Sequence, residues 1–132
     1  MSRTHIVMIA SSGALFLAAV ACLFAPVETL SVVDLANVPA VAGQMLGALY
    51  LGFAAANWTA RGSMIGGVYA RPLSMANFVH FLVGAIVLAK GISAGTNAAY
   101  SAVTLCYLVF AVLFILMLYG RLQAPDRAQS GQ

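Results

Sequence analysis

Charged residues are so sparse along the chain that they divide it into four long uncharged runs. Each run holds at least the roughly 18–20 residues that cross a bilayer as a helix. Because lipid offers no partner for backbone polar groups, a run that spans it has to be helical. The pattern therefore predicts an all-α membrane protein whose four transmembrane helices form an up-down-up-down bundle. The predicted helices lie at about 6–25, 40–60, 72–90 and 98–119.

Local signals set the ends of these helices and the extent of the domain. Pro26 and Pro39 bracket the first connection, and Pro72 stands where a helix start tolerates a missing N–H. The glycine-rich segment 91–97 is typical of a turn. We expect a single transmembrane domain over residues 1–123, followed by a short polar tail, 124–132, that is disordered and cytoplasmic.

Basic residues predict the orientation of the bundle, because short cytoplasmic loops carry an excess of Lys and Arg. Five bases lie at the N-terminus, in the middle loop and in the tail: Arg3, Arg61, Arg71, Arg121 and Arg127. The two loops on the opposite side hold a single base, Lys90. Both termini are therefore expected in the cytoplasm. The short spans, rich in small residues, favour a bacterial cytoplasmic (inner) membrane.

The composition excludes several classes of protein. Of the 132 residues 63% are hydrophobic and 7% are charged, against about 25% charged in soluble domains. With a mean hydropathy of +0.99, a soluble enzyme, a nucleic-acid-binding module and a disordered chain are all disfavoured. The predicted partner is the lipid bilayer, and anionic lipid or another membrane protein is a further candidate. Nucleic acid is not expected as a partner, and formation of a homo-oligomer stays open.

The first apolar run has a second interpretation. Arg3, the run itself and the small residues before Cys22 also fit a signal peptide that ends at a lipoprotein-type cleavage site. The leucine usual three positions before such a cysteine is absent, and the run continues through Phe24. We favour a retained helix in which Cys22 is a small apolar filler.

Small and polar residues recur at spacings of three and four, which places them on one face of each of the last three helices. Small residues let helices approach closely in lipid. We expect these stripes to point inward, and the second and third helices to pack directly through them. The stripes are Gly43, Gly47, Tyr50, Ala54, Asn57 and Arg61; Leu73, Asn77, His80, Gly84, Val87 and Gly91; Tyr100, Thr104, Tyr107, Ala111 and Phe114.

The densest group of polar residues surrounds the loop between the second and third helices, and it has the donors of an anion site. The candidate residues for an anion or lipid head group are Arg61, Arg71, Asn57, Asn77 and Tyr69. Arginine forks suit phosphate and carboxylate, and a helix start presents free N–H groups. The alternative is that the arginines are topology signals in water and that the nearby glycines are turn residues.

His80 falls near the middle of the third predicted span, a depth at which ionisable side chains are rare and tend to be functional. A neutral imidazole is nevertheless much cheaper to bury than an arginine, and Tyr50, Tyr107 or Ser12 lie at depths that suit a hydrogen bond to it. A structural histidine is favoured over a proton-handling one. Counting of candidate ligands predicts neither a metal nor a cofactor.

The segment from Arg71 to His80 resembles the Arg…Asn-x-x-Glu motif of the MAPEG family of four-helix glutathione-dependent membrane enzymes. His80 stands where that family has glutamate, and the motif opens the third helix instead of the second. Ten residues with these departures do not assign the chain to the family.

Two functions from different classes are compatible with the sequence. The favoured one is a non-enzymatic helical bundle, a lipid-contacting or partner-binding membrane subunit. The alternative is a small membrane enzyme or carrier for an amphipathic anionic molecule, with His80 handling a proton. A pocket that opens to the cytoplasm and is lined by Asn57, Arg61, Asn77 and His80 would favour the alternative, and close packing of Gly47 and Gly84 would favour the first.

Overall fold

The computed structural model of the protein describes residues 3–62, 70–93 and 95–119. These residues form five α-helices joined by short connections. The helices are α1 (Arg3–Phe24), α2 (Pro26–Val32), α3 (Ala40–Ala60), α4 (Ala70–Gly91) and α5 (Ala98–Leu118).

Four of these helices, α1, α3, α4 and α5, are long and apolar enough to cross a membrane. This confirms the predicted all-α fold with four candidate spans. The predicted and observed helix ends agree closely because apolar run length, prolines and glycines are local signals that the sequence displays directly.

The short helix α2 lies in the first connection, which the sequence analysis treated as a loop between two prolines. Pro26 occupies its first turn and Glu28 follows there, an arrangement that favours a helix N-terminus. Leu30 of α2 is buried, and its side chain fills the space that Gly43 of α3 leaves open. The helix therefore covers one end of the bundle instead of spanning it.

The long helices associate as two antiparallel pairs, α1 with α3 and α4 with α5. Gly47 of α3 lies against α1, where an added Cβ would be 3.0 Å from Cys22 and from Leu23. Gly84 of α4 lies against the ring of Tyr107 on α5. The expectation that the second and third spans, α3 and α4, pack directly through the glycines of their stripes is thus wrong, although Asn57 and Asn77 of the same stripes do meet across the two helices. Each glycine instead allows the other helix of its own pair to approach closely.

The inward faces agree with the predicted stripes for α3 and in part for α4 and α5. On α3 the buried residues are Gly43, Gly47, Tyr50, Ala54 and Asn57. On α5 they are Tyr100, Thr104, Phe110, Ala111, Phe114 and Met117.

The buried face of α4 is rotated about the helix axis relative to the predicted stripe. Phe81 is buried and stacks on Phe110 and Phe114, whereas Val87 and Gly91 are exposed. The large ring of Phe81 occupies the interior, although the predicted stripe, which was drawn through the polar and small residues of this helix, did not include it.

A polar clasp, Asp34 with Asn97, ties the two helix pairs together at the end of the bundle where α2 lies. The Asp34 carboxylate accepts hydrogen bonds from the backbone N–H and from Nδ2 of Asn97, each at 3.0 Å. Asn97 Oδ1 in turn accepts from the backbone N–H of Tyr100 at 2.8 Å, which caps the start of α5. Asp34 has a φ of 58°, a left-handed conformation that aspartate tolerates better than most residues.

Candidate functional site

A fully buried amide pair, Asn57 and Asn77, connects α3 to α4 and therefore one helix pair to the other. Asn57 Nδ2 donates to Asn77 Oδ1 at 2.9 Å, and Asn77 Nδ2 donates to Asn57 Oδ1 at 2.7 Å. The remaining donors are also used, since Asn57 Nδ2 reaches Ser11 Oγ at 3.1 Å and Asn77 Nδ2 reaches the Leu73 carbonyl at 2.9 Å. The two amides therefore satisfy each other in the interior.

The remaining residues of the predicted anion site do not join this amide pair in the described part of the chain. The Arg61 guanidinium lies 3.9 Å from the ring centroid of Trp58 and also donates to the Trp58 carbonyl. Arg71 is exposed at the start of α4, and Tyr69 lies outside the described residues. The role of these five residues in anion binding stays a prediction.

His5 is a residue of this region whose contact the sequence analysis missed. Its Nδ1 is 2.8 Å from the carbonyl oxygen of Arg61, to which it donates in the corresponding tautomer. Arg61 follows the end of α3, where carbonyls lack partners within the helix. The need for a donor there was foreseeable, but a pairing over 56 positions is not visible as local spacing.

His80 lies halfway along α4, as predicted, in a group of aromatic rings. Its ring stacks on Phe53 with centroids 4.8 Å apart, and the rings of Phe81, Tyr107 and Tyr50 lie at 5.2, 5.7 and 5.8 Å. Aromatic rings from both helix pairs thus surround the imidazole.

The expected hydrogen bond from His80 to Tyr50, Tyr107 or Ser12 is wrong. The hydroxyls of Tyr50 and Tyr107 bond to each other, and Ser12 Oγ donates to the Ala54 carbonyl at 2.8 Å. Within the described residues His80 Nε2 is buried and has no hydrogen-bond partner, a condition shared by Ser74 Oγ. His80 therefore keeps one unused polar atom in the interior.

A cavity of about 640 Å³ lies between the two helix pairs, in the half of the bundle that carries α2. His80, Tyr50 and Tyr107 stand at its inner end, and Leu30, Leu35 and Leu88 line it farther toward α2. Its volume falls within the roughly 300–1,000 Å³ of typical small-molecule sites. No Lys, Arg, Asp or Glu is among its lining residues. The arrangement can hold an apolar molecule.

Comparisons with protein-family models, with curated proteins and with solved structures find no match to this chain. Within the three described ranges, no three His, Cys, Asp or Glu side chains come together as metal ligands would. Assignment of a function therefore depends on the amide pair and on the cavity.

Proposed function

We propose that the protein is an integral membrane protein that binds a lipophilic molecule, without chemical conversion, in the cavity between its two helix pairs. The observation that carries the proposal is the cavity itself: about 640 Å³ lined almost entirely by apolar side chains. The cavity is partly open, since Val79, Val83 and Val87 line it and are about half exposed. A hydrocarbon chain would restore the dispersion contacts that the cavity walls lack.

The amide pair supports a binding role over the alternative of an enzyme or carrier for an anionic molecule. In that alternative, Asn57 and Asn77 position a substrate that enters from the cytoplasm, but here they donate to and accept from each other. They also lie in the half of the bundle opposite the cavity. Gly47 and Gly84 are closely packed against neighbouring helices, which favours a binding role over the alternative.

Binding of dodecane to the purified protein in detergent tests this function. Ala18 lines the cavity from α1, and Ala18→Phe would place a ring inside it. Ala10 is exposed on the same helix, so Ala10→Phe is the matched control. We expect dodecane to raise the thermal midpoint of the parent and of Ala10→Phe by about 5 °C, through binding to the folded state alone, and to leave Ala18→Phe unchanged. An equal shift in all three proteins would show that dodecane acts through the micelle, and would contradict the proposal.

The proposed orientation has both termini in the cytoplasm of a bacterial cell. A single cysteine, introduced into a chain without its two native cysteines, should react with an impermeant maleimide outside the cell at Ser31 or Thr96. The same label should miss Ser63 and Ser130 until the membrane is opened. The reason is the concentration of five bases on one side of the predicted spans. Labelling of Ser130 from outside would overturn this orientation.

A further inference from the structure

Both ends of the cavity are covered by packed or hydrogen-bonded residues. The lining residues at the α2 end are all buried or half-buried, and the polar clasp of Asp34 with Asn97 joins the helix pairs there: Thr29, Leu30, Val33 and Leu35. At the opposite end Phe81 is only 2% exposed. Beyond it lies the fully buried pair of Asn57 and Asn77. Along the bundle axis, the described residues therefore shield the cavity from water.

The helices α3 and α4 face each other along one line of residues on each helix. On α3 the line has spacings of three and four and consists of Leu46, Tyr50, Phe53 and Asn57. Asn57 bonds to Asn77 of α4, and the rings of Phe53 and Tyr50 lie against His80. The two helices therefore contact each other over the part of α4 from Asn77 to His80.

Beyond His80 the same face of α4 continues as Val83 and Val87, at spacings of three and four. Both valines line the cavity, yet they are 52% and 62% exposed. Leu46 lines the cavity from α3. Since α3 does not cover the two valines, the cavity opens sideways between α3 and α4. We call this opening, lined by Leu46, Val83 and Val87, the lateral slot.

The exposed part of the cavity lining is concentrated on this edge of α4. Val79, Val83 and Val87 follow one another at intervals of four residues, and all three are exposed. On α5 a single lining residue, Cys106, is exposed, and the lining residues on the turns before and after it are not. Within the described ranges, the lateral slot is therefore the most continuous exit from the cavity.

We propose that the cavity takes up its ligand directly from the bilayer through the lateral slot, and that the ligand is an uncharged molecule that resides in the hydrocarbon layer. Because α4 is a candidate span and Val83 lies near its middle, the slot faces lipid instead of water. A molecule that moves sideways from lipid into this cavity stays in apolar surroundings throughout. An ion would have no partner on this path, since the described lining contains no Lys, Arg, Asp or Glu. This inference rests on the proposed function and adds the source and the route of the ligand.

The test measures exchange of trifluorododecane between micelle and protein by fluorine NMR, in variants that narrow or widen the lateral slot. Val87→Phe places a ring in the slot, whereas Val87→Ala removes two methyl groups from it. Ile86 is the matched control, because it is the preceding residue of α4, is 48% exposed and does not line the cavity. Since both positions are exposed, we expect all the variants to fold.

We expect exchange to slow by about tenfold in Val87→Phe and to become faster in Val87→Ala, with Ile86→Phe and Ile86→Ala at the rate of the parent. The bound fraction at equilibrium should change less than the rate, because a route affects uptake and release together. If the ring in Val87→Phe prevents binding by filling the cavity, the rate in Val87→Ala decides.

Exchange at the parent's rate in the Val87 variants, with trifluorododecane bound, would overturn the inference. Faster exchange in Asp34→Ala would then assign the route to the α2 end, where the clasp is broken. Absence from the parent of a bound signal that excess dodecane displaces would overturn the proposed function as well. The two failures are therefore distinguishable.

Discussion

Gly84→Leu should lower the free energy of unfolding in detergent by about 2–3 kcal/mol, because a side chain there meets the ring of Tyr107. Tyr107 has little freedom to move away. It bonds to Tyr50 across the two helix pairs and lies against the rings of His80 and Phe81. Gly84→Ala should be destabilising too, by a smaller amount, since even its Cβ would be closer to Tyr107 than atoms ordinarily approach.

Gly52 offers a matched control, because a Cβ added there would have no atom within 4 Å. Gly52→Ala should be neutral or should stabilise α3 by up to about 1 kcal/mol, the gain usual for removing a glycine from a helix. Chemical or thermal unfolding in one detergent would measure both series. Equal tolerance of alanine and leucine at Gly84 and at Gly52 would mean that α4 and α5 do not pack as described.

Asn57→Leu should cost about 1–3 kcal/mol of unfolding free energy, because it leaves the buried Asn77 amide without its main partner. The two side chains are similar in volume, so the loss reports the hydrogen bonds more than the packing. Asn77→Leu should have a comparable effect. The double variant should cost less than the sum of the two single changes, because no amide is then left unpaired.

The expected coupling energy between Asn57 and Asn77 is about 0.6 kcal/mol and at most about 1.7 kcal/mol, the average and the maximum found for hydrogen bonds between membrane helices. Thr59→Val is the control on the same helix, since Thr59 is exposed and bonds only within its own turn. It should change stability by less than about 0.5 kcal/mol. Additive effects of the two asparagine changes would contradict the reciprocal pair.

The spans and the inward face of α3 were predictable because both depend on residues close in sequence. Run length fixes a span, and the spacing of Gly43, Gly47, Tyr50, Ala54 and Asn57 places them on one side whatever the helix contacts. The sequence displays this information directly. A polar residue such as Asn57 also identifies the interior face, since lipid would leave its amide unpaired.

The partners of each face were not predictable, because they depend on residues far apart in the chain. Small residues on α3 and α4 predict close approach, yet nothing local shows that Gly47 meets α1 and Gly84 meets α5. The same reason explains the error at His80, where Tyr50 and Tyr107 bond to each other instead. The helix α2 had a readable start signal at Pro26 and Glu28, but its seven residues are too few to show a period.

The cavity could not be found from the sequence at all, because a void is a property of packing between all five helices. Of the residues predicted to form a pocket, His80 lines the cavity, whereas Asn57 and Asn77 lie in the opposite half of the bundle. The sequence analysis thus named one residue that lines the cavity, His80, and grouped it with residues that do not.

Mass spectrometry of the small molecules that co-purify with the protein tests most directly whether the cavity holds a lipophilic ligand. The parent, Ala18→Phe and Ala10→Phe would be isolated from the same cells in the same mild detergent, and their extracts quantified per mole of protein. We predict one neutral lipophilic compound at close to one mole per mole in the parent and in Ala10→Phe, and its loss from Ala18→Phe. The same lipids in the same amounts in all three extracts would contradict a specific site between the helix pairs.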